Sequence, residues 1–355
     1  RDRLVNIPLG VGVIIPPWNF PGAIPMGLVA AALVAGNTVV FKPASQSPWT
    51  AYRVAEVLWE AGVPRSALSF LTGPGSSTGG RLVVHPKTRF IGFTGSKEVG
   101  VWIHENAAKV QPSQIWLKRT ILEMGGKDAV VVDETADLEA AAAGIVTSAF
   151  GFQGQKCSAG SRAIVTAPVY ERVAERVVAL TKQLRVDATD KGPEVDMGPV
   201  VDQKAFGTII NYIEVGTQEG ELLTGGHAIE TPEGGYFIEP TVFGGVDPQA
   251  RIAQEEIFGP VLAMICAQDY DDALAIANGT LYGLTGAVYS RDRARLERAR
   301  REFHVGNLYF NRKCTGALVG VHPFGGFNMS GTDSKAGGPD YLLLFTQAKS
   351  IAERL

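Results

Sequence analysis

The sequence is poor in cysteine, and its three cysteines, Cys157, Cys266 and Cys314, stand far apart in 355 residues. Three separated thiols do not make a disulfide framework, so they indicate a reducing compartment; the bacterial cytoplasm and the mitochondrial matrix both fit. The five histidines also stand singly, without the spacing to another histidine or cysteine that a zinc site needs. We therefore expect neither a disulfide-stabilised fold nor a metal site.

Long apolar runs and an excess of one charge are also missing. The chain is 45% hydrophobic and 19% charged, with a formal net charge of −3. This composition indicates a globular protein without general affinity for nucleic acid or membranes. The longest apolar candidate, residues 24–34, falls short of the roughly 18 residues that cross a bilayer. The chain opens with Arg1, and we expect a fragment whose natural N-terminal region lies outside this sequence.

Short apolar segments alternate with amphipathic ones along the first 130 or so residues. The predicted strands are 11–15, 38–41, 68–71, 90–93 and 120–122. The predicted helices are 23–35, 48–61, 75–83 and 97–109. This alternation predicts a parallel sheet covered on both faces, with ligands bound at the carboxyl ends of its strands.

A second alternating region begins near Asp128. Its predicted strands are 129–132, 263–265 and 287–289. Its predicted helices are 138–151, 168–184, 270–278 and 292–302. The pattern predicts a second α/β domain.

Polar residues follow several of the predicted strands. Asn19, in a stiff Pro-Trp-Asn-Phe-Pro loop, could donate to a developing oxyanion, although the motif alone favours an ordinary turn. Lys42 could bind ribose hydroxyls or be a solvated lysine. Gly95 and Ser96 precede a helix, where backbone N–H groups could bind a pyrophosphate; the alternative is a simple N-cap. A GxGxxG fingerprint is missing, so the usual dinucleotide motif does not help.

Cys157 and Glu123 are the candidate reactive pair, and we expect each to lie in a Gly-rich loop. A thiolate can attack a carbonyl, and a carboxylate can then activate water. Polar neighbours make Cys157 poor core material, whereas we expect Cys266 to be a small core hydrophobe. Cys314 also has polar neighbours and stays a second candidate. Glu256, two residues before Phe258, could bind a ribose beside a planar ring or be part of a solvated turn.

These residues occur in an order and spacing that resemble the aldehyde dehydrogenase superfamily over essentially the whole chain. The resemblance implies an α/β fold with a Rossmann-type cofactor domain, an α/β catalytic domain and a small β oligomerisation arm. It implies that Cys157 is the nucleophile, that Asn19 and the Cys157 N–H hold the oxyanion, and that Glu123 activates the hydrolytic water. Hydride would pass to NAD, bound by the cofactor residues Pro17, Trp18, Lys42, Ser45, Gly95, Ser96, Glu256 and Phe258.

A narrower resemblance rests on residues 153–158 and 311–332. They are similar to the branch of the superfamily that oxidises L-glutamate γ-semialdehyde to glutamate in proline catabolism. The resemblance implies that Ser158, Gly316 and Ala317 anchor the substrate α-carboxylate, and that Phe20 and Phe324 enclose its aliphatic part. A hydroxyl and two backbone N–H groups can hold a carboxylate without a cation.

The resemblance also implies domain limits and a homo-oligomer, a dimer or larger. We expect an arm remnant at 1–8, a cofactor domain at 9–122 and a catalytic domain at 123–326. A return segment at 327–341 and an oligomerisation strand with tail at 342–355 follow, the strand covering about 342–351. Ser45 stands where many NAD-specific relatives have Glu, which predicts NAD preference with some use of NADP.

Three alternatives stay open. Another short acidic semialdehyde, such as succinate semialdehyde, is the nearest competing substrate, although its enzymes usually bind it through cationic side chains. A CoA-acylating relative is disfavoured by Glu123, which supplies the base for hydrolysis. A non-catalytic scaffold with this fold is the third alternative, against which the intact Cys157, Glu123 and Asn19 argue.

Overall fold

The computed structural model describes residues 2–232 and 234–354. Arg1, Glu233 and Leu355 lie outside the described residues. Arg1 is the first residue of the predicted arm and Leu355 the last residue of the predicted tail. The chain forms two compact units. The first contains the residues up to Met124, Ala317–Gly325 and the residues from Gly331 onward; the second contains Gly125–Gly316 and Gly326–Ser330. The domain limits given above stay predictions.

The strands described are, in chain order, β1 (Asp2–Pro8), β2 (Val11–Ile15), β3 (Thr38–Phe41), β4 (Leu68–Phe70), β5 (Phe90–Thr94), β6 (Arg119–Glu123), β7 (Asp128–Val132), β8 (Gly160–Thr166), β9 (Glu221–Thr224), β10 (Ala228–Ile229), β11 (Phe237–Ile238), β12 (Thr241–Gly244), β13 (Val261–Ala267), β14 (Tyr282–Gly283), β15 (Thr285–Tyr289), β16 (Asn307–Phe310), β17 (Phe327–Asn328) and β18 (Thr346–Ala352). The α-helices are α1 (Ala23–Val34), α2 (Pro48–Glu60), α3 (Gly80–Val84), α4 (Lys97–Ala107), α5 (Leu138–Phe150), α6 (Tyr170–Thr181), α7 (Gln203–Glu219), α8 (Arg251–Gln254), α9 (Tyr270–Asn278) and α10 (Arg293–Glu302).

The first unit is built on a five-stranded sheet in the order β4-β3-β2-β5-β6, with every pair parallel. Successive side chains of a strand point to opposite faces. Ile14 accordingly packs with α1 and α2 in one core, and Val13 packs with α3 and α4 in another. The predicted doubly covered parallel sheet is confirmed.

The same unit contains a two-stranded ribbon in which β1 pairs antiparallel with β18, Asp2 opposite Ala352 and Pro8 opposite Thr346. Both strands are largely exposed. The predicted returning strand was placed too early, because Tyr341–Phe345 form a short 3₁₀ turn. Phe345 is fully buried in that turn, with its ring edge-on to Phe90, so burial takes these residues out of the ribbon.

The second unit is built on a seven-stranded sheet in the order β16-β15-β7-β8-β13-β12-β9, parallel except for β9. Helices α5 and α6 cover one face and α7, α9 and α10 the other. The α/β class of this region is confirmed, but β8, β9, β12, β16 and α7 were not predicted. Strand β8 was missed because Arg162 interrupts its apolar pattern.

Two predicted helices differ in their first turns. The segment 75–83 begins as a π-helical turn, Gly75–Gly79, before α3. The segment 168–184 begins with a 3₁₀ turn, Ala167–Val169, which contains Pro168, and α6 follows from Tyr170. Proline has no N–H to donate, so it is tolerated in the first turn of a helix. Among the described residues no helix is long and apolar enough to cross a membrane.

Arg162 is buried at 2% exposure in the middle of the second sheet. Its guanidinium donates to Lys127 O, Ile276 O and Ala277 O, each at 2.9 Å. Two of these carbonyls belong to the last turn of α9, where the regular helical donors run out, although Ile276 O also accepts from Gly279 N at 3.1 Å. The arginine therefore joins two central strands to the C-terminal end of a helix.

We predict that Arg162→Met lowers the free energy of unfolding by about 3–5 kcal/mol, because buried carbonyls lose their charged donor. Arg176→Met is the control, since its ion pair with Glu139 is exposed and such pairs contribute about 0–1 kcal/mol. Urea unfolding followed by circular dichroism measures both. Equal midpoints for the two variants would contradict the assignment.

Candidate active site

The carboxyl edge of the first sheet collects most of the predicted residues of that unit. Asn19 follows β2, Lys42 follows β3, Ser96 follows β5, and Glu123 is the last residue of β6. These four strands are consecutive neighbours in the sheet. Because parallel strands bring their carboxyl ends to one edge, this position is the binding edge expected for an open α/β sheet.

The loop after β2 carries four predicted residues into α1. Pro17, Trp18 and Phe20 are half-buried, whereas Asn19 is 5% exposed. A buried amide group requires hydrogen-bond partners, so the position of Asn19 is set by its surroundings.

Lys42 is 3% exposed, and its Nζ donates to Pro43 O at 2.9 Å. Burial lowers the pKa of Lys42 from its ordinary value. An ammonium group carries three donors, and this bond occupies one of them. The solvated-lysine alternative is therefore wrong. Ser45, three residues on, is exposed.

A glycine-rich turn within the predicted helix 75–83 lies against Lys42. A side chain added at Gly79 would approach the Lys42 stem to 3.6 Å. The turn follows β4 at the same sheet edge. The run Gly-Pro-Gly-Ser-Ser-Thr-Gly-Gly was the sequence signal for it, and π-helical turns often mark functional sites.

Ser96 is the N-cap of α4, and its Oγ accepts from Val99 N at 3.4 Å. The N-cap alternative is thus confirmed, and it is compatible with anion binding, because the first N–H groups of a helix have no intrahelical acceptor. The preceding Gly95 N donates to Glu123 O at 3.1 Å. The Gly95–Ser96 turn, the candidate phosphate site, and Glu123, the candidate base, are therefore neighbours.

Glu123 was expected in a loop, but it is the last residue of strand β6. The glycines Gly125 and Gly126 come after it. Its Oε1 accepts from Ser334 Oγ at 3.0 Å. Ser334 was not predicted as a site residue, because it is far from Glu123 in sequence and lies in a polar segment without a recognisable motif. Phe324, a predicted substrate contact, is half-buried and pairs with Ala336 in an isolated antiparallel bridge.

In the second unit a strained segment precedes Cys157. Phe152 and Gln153 have φ values of 60° and 56°, in the left-handed region that non-glycine residues rarely adopt. Hydrogen bonds hold this backbone: Gln153 Oε1 accepts from Gly198 N, and its Nε2 donates to Pro199 O. Residues kept in such conformations cost about 1–3 kcal/mol each and are concentrated at functional sites.

Cys157 and Ser158 occupy the centre of a turn closed by the Ala159 N to Lys156 O hydrogen bond of 3.0 Å. Cys157 is half-buried and Ser158 is 8% exposed. The charge of Lys156 interacts with the Cys157 thiol. Burial lowers the pKa of Lys156. A cation beside a thiol favours the thiolate form.

The other two cysteines differ in burial: Cys314 is buried and Cys266 is exposed. Cys314 is fully buried, and burial raises the pKa of its thiol to about 12, so it is unsuited to be the alternative nucleophile. Its Sγ donates to Ser158 O at 3.5 Å. The expectation for Cys266 is wrong: it is exposed at the end of β13, on a strand whose other residues are buried.

Glu256 and Cys157 both contact Gly126. Gly126 N donates to Glu256 Oε1 at 3.1 Å, and a side chain added at Gly126 would lie 2.7 Å from Cys157 O. A small cavity in this unit is lined by Lys156, Glu256 and Phe258, among others. Phe258 has a φ of 57°. The solvated-turn alternative for this segment is therefore disfavoured.

A buried lysine stands behind Glu256. Lys127 is 2% exposed, and burial, together with nearby Arg162, lowers its pKa to about 7. Glu256 and Asp128 act in the opposite direction. The charges of Lys127 and Glu256 therefore interact inside this unit.

Gly316, one of the two anchor residues after Cys314, has a φ of 81° and is exposed. The carbonyls of Thr315 and Gly316 accept from Arg312 Nη2 at 3.0 and 3.2 Å. The turn is thus held from its carbonyl side. Ala317 is half-buried and begins a segment of the first unit.

The sequence pattern of the aldehyde dehydrogenase family matches residues 2–351. The chain belongs to this family. It is 64% identical over 353 residues to 1-pyrroline-5-carboxylate dehydrogenase of Geobacillus thermodenitrificans, covering 99% of this chain and 68% of the relative.

Solved structures agree with that relationship. A Thermus 1-pyrroline-5-carboxylate dehydrogenase with bound NAD is 54% identical, with a TM-score of 0.96 over all of this chain and 68% of its own. Proline utilization A of Bdellovibrio bacteriovorus is 48% identical, with a TM-score of 0.95 over 99% of this chain and 36% of its own. The chain is an aldehyde dehydrogenase of the α/β architecture that the sequence predicted.

We predict that iodoacetamide near neutral pH modifies Cys157 first and Cys266 more slowly, because the pKa of the Cys266 thiol is raised. Cys314 should react only after unfolding in urea. Peptide mass mapping over time distinguishes the three sites. Modification of Cys314 in the folded protein would show that its burial and high pKa are wrongly assigned.

Proposed function

We propose that this chain catalyses the NAD-dependent oxidation of L-glutamate γ-semialdehyde, the open form of Δ1-pyrroline-5-carboxylate, to L-glutamate in proline catabolism. The observation that carries the chemistry is the Cys157 turn, which places a half-buried thiol beside Lys156 while Cys314 is buried and unreactive. The names of the relatives at 64% and 54% identity support the substrate.

Cys157 acts as the nucleophile. Its thiolate attacks the aldehyde carbon, and the carbonyl oxygen becomes an oxyanion in a thiohemiacetal. The Asn19 amide and the Cys157 N–H supply hydrogen-bond donors to that oxygen. Donors fixed before the reaction stabilise developing charge without a reorganisation cost.

The residues present fit NAD. The capped start of α4 offers backbone N–H groups to an anion, and Lys42 offers donors to ribose hydroxyls. A side chain added at Gly125 would lie 2.0 Å from Glu256 Oε2, so the backbone closely surrounds a carboxylate able to accept from a second ribose. Pro17, Trp18 and Phe258 supply flat apolar surface, and Gly95 shapes the phosphate turn. Bound NAD would supply the hydride acceptor that turns the aldehyde carbon into a thioester.

Glu123 completes the cycle. Its carboxylate takes a proton from a water molecule while the water oxygen attacks the thioester carbon; the C–S bond breaks and the thiolate of Cys157 leaves. Ser158, Gly316 and Ala317 bind the substrate α-carboxylate, and Phe20 and Phe324 pack on its methylene groups. The glutamate product retains the α-carboxylate throughout.

The exposed β1–β18 ribbon supports a homo-oligomer. An exposed two-stranded ribbon has unpaired edges and is marginal alone, so a partner subunit is the natural cover for it. The partner is a second copy of this chain, in a dimer or larger assembly. The free cysteines Cys157, Cys266 and Cys314 support a reducing compartment such as the bacterial cytoplasm.

We predict that the full-length enzyme oxidises glutamate γ-semialdehyde with a kcat/KM at least about tenfold above that for succinate semialdehyde or propanal. The anchored α-carboxylate contributes charge-assisted hydrogen bonds, whereas succinate semialdehyde is one carbon shorter and propanal has no carboxylate. NADH absorbance measures the rates. Cys157→Ala should lose turnover while NAD binding by calorimetry survives, and Cys266→Ala is the matched control.

Equal rates with the three aldehydes would retain the mechanism but contradict the substrate. Turnover by Cys157→Ala would move the nucleophile elsewhere. Inactivity of the wild-type enzyme with every aldehyde would favour the scaffold alternative.

Ser45 gives a second prediction, on cofactor choice. The wild-type enzyme should prefer NAD and use NADP measurably, because an exposed hydroxyl does not repel a 2′-phosphate. Ser45→Glu should raise the NAD to NADP ratio of kcat/KM by about tenfold through like-charge repulsion, with Ser45→Gln as the uncharged control. An unchanged ratio would show that residue 45 does not face the ribose.

A further inference from the structure

Within the first unit, the segment that begins at Gly331 pairs with the end of strand β6, where Glu123 lies. Glu123 forms an isolated antiparallel bridge with Gly331. One residue away, Thr332 Oγ1 accepts from Leu122 N, and Thr332 N donates to Leu122 O, both at 3.0 Å. The segment that begins at Gly331 therefore runs alongside the last residues of β6 in a defined register.

That register brings Ser334 to the carboxylate. Ser334 is 5% exposed, and its Oγ donates to Glu123 Oε1 at 3.0 Å. Gly325 makes the approach possible, because a side chain there would lie 1.7 Å from Ser334 O and 2.8 Å from Glu123 Oε1. A donor on one oxygen fixes the rotation of the carboxylate, so it also fixes the direction of the other oxygen.

Lys335 is the next residue. It is half-buried, and its Nζ donates to Gly325 O, the same glycine that contacts Glu123. Burial lowers the pKa of Lys335, and the charge of Glu123 acts to raise it. A pair of hydrogen bonds between Phe324 and Ala336, of 3.0 and 2.7 Å, holds the backbone on both sides.

Two further titratable groups face this pair. Burial, and after it the charge of Glu123, raises the pKa of Tyr341, so this phenol is neutral at working pH. Asp333 acts on Lys335 in the same direction as Glu123. Lys335 is thus a cation whose charge interacts with that of Glu123, and Asp333 is a second carboxylate that interacts with the same lysine.

We infer that Ser334 and Lys335 are positioning residues for Glu123: Ser334 sets the direction of its carboxylate, and Lys335 keeps that carboxylate negatively charged. The inference rests on the proposed function, in which Glu123 activates the water that hydrolyses the thioester. A nearby cation favours the ionised form of an acid, and only the ionised form can accept the proton from water.

Ser334 and Lys335 act only on thioester hydrolysis, the second half of the catalytic cycle. Formation of the thioester uses Cys157, Asn19 and the cofactor, whereas its hydrolysis uses Glu123. Loss of Ser334 or Lys335 should therefore slow hydrolysis and leave acylation almost unchanged. Without the Lys335 cation, Glu123 would ionise only at higher pH. The rate of hydrolysis should therefore fall on the acidic side of the pH profile.

The test uses p-nitrophenyl acetate, whose acetyl group passes to Cys157 as p-nitrophenolate leaves, giving a thioester without oxidation or cofactor. Intact-protein mass spectrometry of the full-length enzyme follows acetylation and its loss between pH 5.5 and 9. The variants are Ser334→Ala, Lys335→Met and Lys335→Arg. Lys118→Met is the matched control, because Lys118 is also half-buried with its Nζ on a backbone carbonyl, Val83 O at 2.8 Å.

Lys335→Met should slow deacetylation at pH 7 by about tenfold or more and move the acidic limb of the profile up by about one pH unit. Ser334→Ala should slow it by about tenfold without moving the limb, since it removes orientation and not charge. Lys335→Arg should recover most of the rate, and Lys118→Met should match the wild type. Acetylation rates should agree within about twofold throughout.

Wild-type deacetylation rates in both Ser334→Ala and Lys335→Met would overturn the inference. Equal losses in Lys335→Met and Lys335→Arg would overturn the charge role, because they would reflect packing. If the wild type turns over the ester with the expected pattern but oxidises no aldehyde, the proposed function fails and the inference stands. If Cys157 is never acetylated, both fail.

Discussion

A parallel strand must be followed by a crossover before the chain re-enters the sheet, so every strand delivers a loop to the same edge. This constraint places the candidate chemistry of the first unit. Four neighbouring strands end in Asn19, Lys42, Ser96 and Glu123 or just before them. Because helices cover both faces, the edge is the part of the sheet open to a ligand. The chemistry therefore follows from topology as much as from residue type.

In the second unit the constraint is close approach of backbone to polar groups. A side chain added at Gly125 would lie 2.0 Å from Glu256 Oε2, and one added at Gly126 would lie 2.7 Å from both Asp128 Oδ2 and Cys157 O, so neither position has room for a side chain. Nearby, Phe152, Gln153 and Phe258 keep left-handed conformations that cost free energy. The Gln153 side-chain amide, bonded to Gly198 N and Pro199 O, holds the Phe152–Gln153 backbone there. The strain is the consequence of turning a helix sharply into a loop that presents Cys157.

Buried and half-buried cations recur in this protein, and the groups that each cation contacts distinguish their roles. Arg162 is satisfied by three carbonyls and joins strands to a helix end. Lys42 has one described carbonyl partner and donors to spare. Lys335 pairs a carbonyl contact with a neighbouring acid. Burying a charge is costly unless it is paired, so lysines withdrawn from solvent next to a candidate site indicate a ligand or a reacting group there.

The sequence by itself determined the α/β class, the first sheet with nearly all its element limits, and the Cys157–Glu123–Asn19 hypothesis. Local periodicity and the family resemblance carry that information. It could not show β8, whose buried Arg162 breaks the apolar pattern, or that Cys266 is exposed and Cys314 buried. The contact between Ser334 and Glu123 likewise depends on a bridge between segments far apart in the chain. Burial and long-range hydrogen bonds are properties of packing, so only the tertiary structure decided them.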